Sequence, residues 1–180
     1  FEPQFLLYLG KALVLGQQLP LAVEVRDTLA RRVQPNNVKD RAFLMVLSGE
    51  LALARGRADS AVGLLRAAYA HEETPYVAES LARALVAVGD FAGATRLYEA
   101  FGPNADDWYG MEAQQFGTRA FYAAARVYER LSDTTAALRS YERFLAPLAA
   151  ADSDLVSVRD ARERVLRLRL AKGALAPANK

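Results

Sequence analysis

Three arginines and one tyrosine recur at helical spacing in the second half of the chain. They are Arg119, Tyr122, Arg126 and Arg130. Steps of three, four and four residues place these side chains along one side of an α-helix. A guanidinium offers planar donors that match a carboxylate or a phosphate, and a phenol ring offers a face for stacking. The pattern therefore predicts an anion-binding surface, with pairing to nearby acids such as Glu129 as the alternative.

Few other residue types in the chain could support catalysis or metal binding. The sequence has no cysteine, which excludes disulfides and thiolate metal sites, and its one histidine is His71. Asp106 and Asp107 stand beside Trp108 and Tyr109, but no third acidic ligand follows at the spacing of a cation site. We interpret that stretch as a helix start with buried aromatic residues. No glycine-rich phosphate loop is present, so we expect no enzyme activity, no metal and no cofactor.

The elements that carry these residues are predicted to be helices. Hydrophobic residues make up 52% of the chain and alanine is abundant, a composition that suits closely packed helices. Between Thr118 and Leu148 the apolar residues recur at steps of three and four, with a short polar break at 132–135. This stretch is predicted to form one helical hairpin with a buried stripe on each helix. A single hairpin cannot bury both stripes, so it needs neighbouring copies.

The same pattern recurs along the chain and defines the predicted domain. We predict one all-α domain over residues 3–172, with hairpins at about 3–33, 41–71, 75–101 and 118–148, a closing helix at 153–172 and a tail at 173–180. Proline, asparagine and glycine mark the breaks between these helices. Asp90 is the predicted N-cap of the sixth helix. In the first helix, Leu6, Leu9 and Leu13 are predicted to face inward with Gly10.

Small residues place the four hairpins in a common register. Early in the second helices stand Ala22, Ala61, Ala94 and Ala137, which are separated by 39, 33 and 43 residues. Five residues before each alanine lie the breaks, at Gln17, Gly56, Gly89 and Ser132. One register therefore fits all four hairpins, with extra residues only in the loops, as expected of an internal repeat.

This register resembles the tetratricopeptide repeat family. The small residue of the family's first helix matches Gly10, Gly49, Ala82 and Ala125, the small residue of its second helix matches the four alanines, and its aromatic position matches Tyr98 and Tyr141. The chain departs from the family in two ways. It lacks the tryptophan of the family's repeat motif, and Arg26 occupies an aromatic position. The resemblance implies a right-handed α-solenoid of four helix-turn-helix repeats plus a C-terminal helix. It also implies a non-catalytic scaffold, similar to the closing repeats of bacterial multidomain proteins.

The family resemblance further implies which residues line a concave groove. The first helices line this groove. We call Arg119, Tyr122, Arg126 and Arg130 the arginine ridge. The family register places Tyr76, Arg83 and Arg159 in the groove with it. Two functions follow. In the first, the groove holds a protein or peptide with acidic groups. In the alternative, the ridge tracks single-stranded nucleic acid and the copies polymerise into a nucleoprotein filament. Internal pairing of these arginines with Glu79 and Glu129 remains open.

Both ends of the predicted solenoid carry apolar residues that need a partner. These assembly faces are Phe5, Leu7 and Leu15 in the first helix and Val156, Leu166 and Leu170 in the last. Residues 40–118 carry a net charge of −5 and residues 119–180 a net charge of +5. An acidic middle and a basic end favour head-to-tail joining of copies. A neighbouring domain of a longer protein is the alternative, and the charge asymmetry could equally be chance scatter.

The sequence does not indicate a compartment. No apolar run reaches the roughly 18–20 residues of a membrane span. The chain begins with Phe1 instead of methionine. We expect a cytoplasmic protein if the chain is a domain of a longer protein, and an exported or extracellular one if Phe1 follows a removed export signal.

Overall fold

Nine α-helices make up nearly all of the chain that the structure describes. The structure is a computed structural model, and it describes residues 2–101, 110–149 and 155–175. The helices are α1 (Pro3–Leu15), α2 (Leu19–Arg32), α3 (Val38–Ala54), α4 (Ala58–His71), α5 (Pro75–Ala87), α6 (Phe91–Phe101), α7 (Gly110–Arg130), α8 (Thr134–Leu145) and α9 (Val156–Leu175). A 3-10 turn, Ala146–Leu148, follows α8. No strand occurs within these ranges.

The chain divides into two compact units. Unit 1 is Phe1–Gly93 and holds α1 to α5 with the start of α6, and unit 2 is Ala94–Lys180 and holds the rest of α6 with α7 to α9. The single domain predicted for residues 3–172 stays a prediction.

Helix α7 differs most from its predicted bounds, because it begins at Gly110 and not at 118. Its extra turns contain Met, Glu, Ala and Gln, which favour helix, and they outweigh the roughly 1 kcal/mol that Gly117 costs inside a helix. Helix α9 likewise runs to Leu175, past the predicted end at 172. The stretch with Asp106, Asp107, Trp108 and Tyr109 lies outside the described residues.

In unit 1 the first helices of the hairpins lie side by side. Helix α1 pairs with α2 and α3 pairs with α4, while α3 also contacts both α1 and α5. Helix α1 buries Leu6, Leu7, Gly10 and Val14. Leu9, predicted to face inward, is instead 38% exposed. The buried face of α1 is rotated from the predicted one because α1 packs against α3 as well as α2.

Small residues allow the closest helix contacts in unit 1. A Cβ added at Gly49 would lie 2.6 Å from Leu65 Cγ, so α3 and α4 touch at the predicted position within their hairpin. A Cβ at Gly10 would lie 2.5 Å from Leu47 Cδ2, which belongs to the next hairpin. The first repeat differs because the residue that corresponds to Leu65 is Arg26, whose side chain is 33% exposed. A partly solvated guanidinium does not fill an apolar contact, so α3 fills it.

All four hairpin turns share one backbone motif. Positive φ values occur at the four predicted breaks, which are Gln17 (58°), Gly56 (73°), Gly89 (82°) and Ser132 (58°). The N–H groups of the next residues, Gln18, Arg57, Asp90 and Asp133, donate to the carbonyls of Leu13, Ala52, Leu85 and Tyr128 at 2.8, 2.9, 2.9 and 3.0 Å. This six-to-one bond with a left-handed residue is the Schellman motif, which ends helices. The four predicted break positions are thereby confirmed.

Aspartates begin the second helices of the last two hairpins. The Asp90 carboxylate accepts from the Gly93 N–H at 2.8 Å, as predicted, and the Asp133 carboxylate accepts from the Ala136 N–H at 2.9 Å. Such caps satisfy donors that have no partner inside the helix.

Unit 2 has a core built from three helices. Helix α7 packs against α8, and α8 packs against α9. The buried cluster consists of Ala125, Leu138, Tyr141, Phe144, Val158, Ala161 and Val165. Ala125 and Tyr141 are fully buried in it, at the positions where the register predicts a small residue in the first helix and an aromatic one in the second.

We expect Ala125→Leu to lower the free energy of unfolding by about 1–3 kcal/mol, because the added carbons must displace a packed core. Ala123→Leu is the control, since Ala123 lies on the same helix and is only partly buried. Chemical denaturation compares the two variants. Equal stabilities would contradict the close contact at Ala125.

We expect Ser132→Gly to raise the free energy of unfolding by about 0.5–1 kcal/mol, because a serine at a φ of 58° is strained and glycine is not. Gly89→Ala should do the opposite, since Gly89 has a φ of 82°. Thermal unfolding followed by circular dichroism measures both. A destabilised Ser132→Gly variant would show that the serine side chain makes a compensating contact.

Candidate functional site

A buried carboxylate organises the predicted groove residues of unit 1. Glu50 on α3 is only 2% exposed. Arg83 on α5 donates through Nη2 to both of its oxygens at 2.5 Å, and Ser80 donates through its hydroxyl at 2.5 Å. Lys11 on α1 donates to the Ser80 hydroxyl at 2.9 Å, and its Nζ lies 3.6 Å from Glu50 Oε1. Side chains of three successive first helices therefore meet at one carboxylate.

The charges around Glu50 keep it ionised. Burial alone would raise the pKa of Glu50, but the positive charges of Arg83 and Lys11 and the hydrogen bonds from Ser80 and Arg83 outweigh burial, and the pKa is lowered. Glu79 adds a second carboxylate, at 2.8 Å from Arg83 Nε and 3.6 Å from Lys11 Nζ. This cluster of two cations and two anions joins α1, α3 and α5.

Tyr76 and Arg83, both predicted to bind a ligand, make internal contacts in unit 1. Arg83 pairs with Glu50 and Glu79, as the internal-pairing alternative predicts. The Tyr76 ring lies 6.3 Å from the Tyr8 ring and 6.2 Å from the Phe43 ring, between centroids. Both side chains therefore contribute to packing between the first helices.

A second polar network joins the three helices of unit 2. Arg164 on α9 donates to Glu129 Oε2 at 2.6 Å and to Asp160 Oδ2 at 2.7 Å. The Tyr141 hydroxyl donates to the other Glu129 oxygen at 2.9 Å. Burial and that hydrogen bond raise the pKa of Tyr141, and the bond to Asp160 raises the pKa of Arg164, so both protons stay in place. Sequence reasoning missed Arg164 and Asp160, although their spacing of four residues is that of a helical ion pair.

Within the arginine ridge, Tyr122 and Arg126 touch this network. The Tyr122 hydroxyl donates to Asp160 Oδ2 at 2.6 Å, and its ring lies 5.2 Å from the Phe144 ring. Arg126 Nη1 is 3.3 Å from the Tyr122 hydroxyl and 3.8 Å from Asp160 Oδ2, and its side chain is 45% exposed. Tyr122 is therefore fixed against the core, whereas Arg126 keeps much of its guanidinium in solvent.

The remaining predicted ligand residues lie at the surface of unit 2. Arg119, Arg130 and Arg159 are all exposed. Neither Arg119 nor Arg159 forms an ion pair with any residue in the described part of the chain. Arg119, Arg126 and Arg130 share one face of α7, because seven and eleven residues correspond to nearly whole numbers of helical turns. The ridge thus presents exposed guanidiniums over about three turns of helix.

Most of the predicted assembly residues are exposed. Exposed fractions are 47% for Phe5, 65% for Leu15, 71% for Val156, 63% for Leu166 and 67% for Leu170. Leu7 is fully buried and lies outside the assembly faces, because it points into the core that α1 shares with its neighbours. Leu9, which was not predicted at an end face, is exposed in its place.

A cleft that the sequence did not predict lies between α8 and α9. Its volume is about 530 Å³, and its lining is Glu142, Leu145, Ala146, Ala149, Arg162, Val165, Leu166 and Arg169. Arg169 donates to Glu142 at 2.7 Å across it.

In the described ranges, no cluster of three or more acidic or histidine side chains could hold a metal ion. No helix in the same ranges has the length and apolar character needed to cross a membrane.

Two solved structures share this fold. Both come from a predicted kinesin light chain of Podosopora anserina with nearly identical TPR-like repeats, and one carries a single substitution. The substituted form has a TM-score of 0.71 at 20% identity, and the other has 0.70 at 19%. Each alignment covers 97% of this chain and 90% of the other. The chain has a TPR-like repeat fold.

The TPR-like comparison confirms the predicted all-α repeat solenoid. Identities of 20% and 19% establish the fold and nothing of the function. No protein-family model matches the sequence, and no curated protein sequence matches it.

We expect Arg83→Leu to lower the free energy of unfolding by about 2–4 kcal/mol near neutral pH, because it leaves the buried Glu50 carboxylate with less compensating charge. In the wild type, the stability contributed by Glu50 is present above its unfolded pKa of about 4.3 and is lost as pH falls through the lowered folded pKa. In Arg83→Leu, burial should raise the folded pKa above the unfolded one. Acidification from about pH 7 to about pH 5 should then reduce the stability difference between variant and wild type.

Urea denaturation at both pH values measures that difference. Glu79→Gln is the control, since it retains the Arg83 and Lys11 contacts with Glu50. A stability difference between Arg83→Leu and wild type that does not change with pH would contradict the assigned role of Arg83.

Proposed function

We propose that this protein is a non-catalytic scaffold that binds an acidic segment of a protein partner along the arginine ridge of α7. The TPR-like fold supports a protein-interaction role. The observation that carries the proposal is the exposure of Arg119 and Arg126 on a helix face held rigid by the Tyr122–Asp160 bond. Guanidiniums on a rigid surface lose little conformational freedom when they bind carboxylates.

The spacing of the ridge suits carboxylates on a regular peptide. Arg119 and Arg126 are seven residues apart on α7, which corresponds to about 10 Å along the helix axis. Acidic residues three apart on an extended segment, or seven apart on a helix, span about the same distance. Arg159 on α9 supplies a further exposed guanidinium in the same unit.

A ligand carboxylate can replace the internal contact of Arg126 at small cost. That contact to Asp160 is long, at 3.8 Å, and Arg126 is 45% exposed. Exposed ion pairs of this kind contribute about 0–1 kcal/mol. Asp160 keeps its bonds from Arg164 and Tyr122 when Arg126 moves, and these bonds hold the pKa of Asp160 below its ordinary value. The network can therefore release Arg126 without leaving a carboxylate unpaired.

The environment of the tyrosines favours a peptide over single-stranded nucleic acid. Strand-binding grooves use exposed aromatic faces on which successive bases stack. Tyr76 packs among Tyr8 and Phe43, and Tyr122 packs against Phe144 and Tyr141. The nucleic-acid function and the nucleoprotein filament remain the alternative, and the oligonucleotide arm of the experiment below tests them.

We also propose that the apolar ends are contact surfaces for another protein element. Phe5, Leu9 and Leu15 are exposed in unit 1, and Leu166 and Leu170 are exposed in unit 2. Apolar side chains that cluster at a surface mark contact sites for other proteins. The partner is a copy of the chain or a neighbouring domain, and light scattering over a range of concentrations separates them, because only a copy raises the mass of the purified chain.

We expect the wild type to bind a fluorescent oligoglutamate of about ten residues, and the double variant Arg119→Glu, Arg126→Glu to bind it at least about tenfold more weakly. The matched control is Arg139→Glu, Lys172→Glu, which changes the charge of unit 2 equally at exposed positions off the ridge. Anisotropy titration measures all three affinities. Equal losses in the two double variants would place the binding site elsewhere.

A parallel titration uses oligothymidylate of about ten nucleotides at several salt concentrations. Three arginine–phosphate contacts give a slope of log affinity against log salt of roughly −2 on a single strand. Oligothymidylate binding with that slope, stronger than binding of the oligoglutamate, would favour the nucleic-acid alternative over the scaffold.

A further inference from the structure

Helix α9 has an apolar side that the rest of the described chain does not cover. In the described ranges, each of α1, α3, α5 and α7 is followed by a second helix, and α9 is not. The buried side of α9 is Val158, Ala161 and Val165. Leu166 and Leu170 lie on another side and are 63% and 67% exposed. Exposed leucines four residues apart form the kind of stripe that a neighbouring helix covers.

The cleft between α8 and α9 continues this stripe. Its apolar lining includes the buried Val165, the half-buried Leu145 and the exposed Leu166. Together the stripe and the cleft span α9 from Arg162 to Leu170, a separation of eight residues or about 12 Å along the helix axis. An α-helix that packs along this surface contacts it over about two turns.

The charges of the cleft are predominantly basic. Arg162 lines the cleft and forms no ion pair with any residue that the structure describes. Arg169 lines it seven residues, or about two helical turns, further along α9. Their only acidic companion in the lining is Glu142, which pairs with Arg169 at an exposed position. Exposed pairs of this kind are weak, so Arg169 can exchange Glu142 for another carboxylate. An occupant with carboxylates about seven residues apart on one flank would meet both arginines.

We propose that the α8–α9 cleft is the docking site for an amphipathic helix of a partner protein, with leucine-type side chains on one face and acidic residues on the flank that faces Arg162 and Arg169. This proposal rests on the proposed role of the C-terminal apolar end as a contact surface, but it assigns that end to a separate partner protein in place of a copy or a neighbouring domain. It is independent of the arginine ridge. The helix covers Leu166 and Leu170, and its carboxylates pair with the two arginines.

The first helix of a second copy fits this site less well. The exposed apolar side of α1 carries Phe5 and Leu9, and the only carboxylate in or next to α1 is Glu2, before its first residue. One carboxylate at a helix end cannot meet arginines seven residues apart. The charge of the cleft therefore favours a partner helix with acidic residues along its length.

The test uses two synthetic helical peptides of about fourteen residues with the same leucine face, one with glutamates and one with lysines on the flank. We expect the glutamate peptide to bind the whole chain about tenfold more tightly than the lysine peptide. Arg162→Glu combined with Arg169→Glu should reverse this preference. The matched control Arg139→Glu, Arg167→Glu changes two exposed arginines outside the lining and should preserve it.

Two further variants locate the bound peptide. Leu166→Glu should weaken the glutamate peptide strongly, because it removes apolar contact and adds a like charge. Repeating both titrations in the Arg119→Glu, Arg126→Glu background removes glutamate peptide bound at the ridge, so the preference that remains belongs to the cleft and a failure here is separated from a failure at the ridge. Circular dichroism confirms that every variant is folded, as expected for changes at exposed positions.

Three results would overturn the proposal. The first is binding of neither peptide, and the second is an unchanged preference after the Arg162 and Arg169 reversals. The third is a wild-type chain that light scattering shows to be a dimer and that Leu166→Glu makes monomeric, since a second copy would then occupy the cleft.

Discussion

The hairpins depend on the close approach of two helices at a position where one of them has almost no side chain. Between α3 and α4 this position is Gly49, against which Leu65 packs. In unit 2 it is Ala125, fully buried in the cluster with Tyr141. A larger side chain at either place would push the helices apart, and the side chains that now meet would lose contact. The contact also fixes the rotation of α3 and α7 and so decides which of their residues remain for binding.

The polar side chains that remain on the first helices brace each unit internally. Glu50, Lys11 and Arg83 join three helices of unit 1, and Glu129 and Arg164 join helices of unit 2. A buried carboxylate is tolerable only with such partners, and removing one partner costs more than the pair contributes. Arg83 is held in this way, whereas Arg119 and Arg126 retain exposed guanidiniums. This difference between internal pairing and exposure is the reason that we propose α7 as the binding surface.

The sequence predicted the elements well because its signals are local. Helical period, the turn residues Gly56 and Gly89 and the cap at Asp90 act within a few residues, and the structure contains all of them. The rotation of α1 was missed because it depends on Leu47 of another hairpin. The partners of Glu50 and Glu129 were missed for the same reason, since Ser80 and Arg164 are distant in sequence. The α8–α9 cleft was missed as well, because it is bounded by side chains such as Glu142 and Arg169 that are distant in sequence.

The arginine at position 26 also affects how firmly its own helix is anchored. Leu65 in α4 and Tyr141 in α8 are buried at the position that Arg26 occupies in α2. The Arg26 side chain instead pairs with Asp27 and remains 33% exposed. Helix α2 consequently buries only Ala22 and Leu29, whereas α4 buries Ala61, Val62, Leu65 and Ala68. Local opening begins where few apolar contacts must be broken. The second helix is therefore the natural starting point for unravelling of unit 1, and the Glu50 cluster, which lies on α1, α3 and α5, can stay closed while α2 opens.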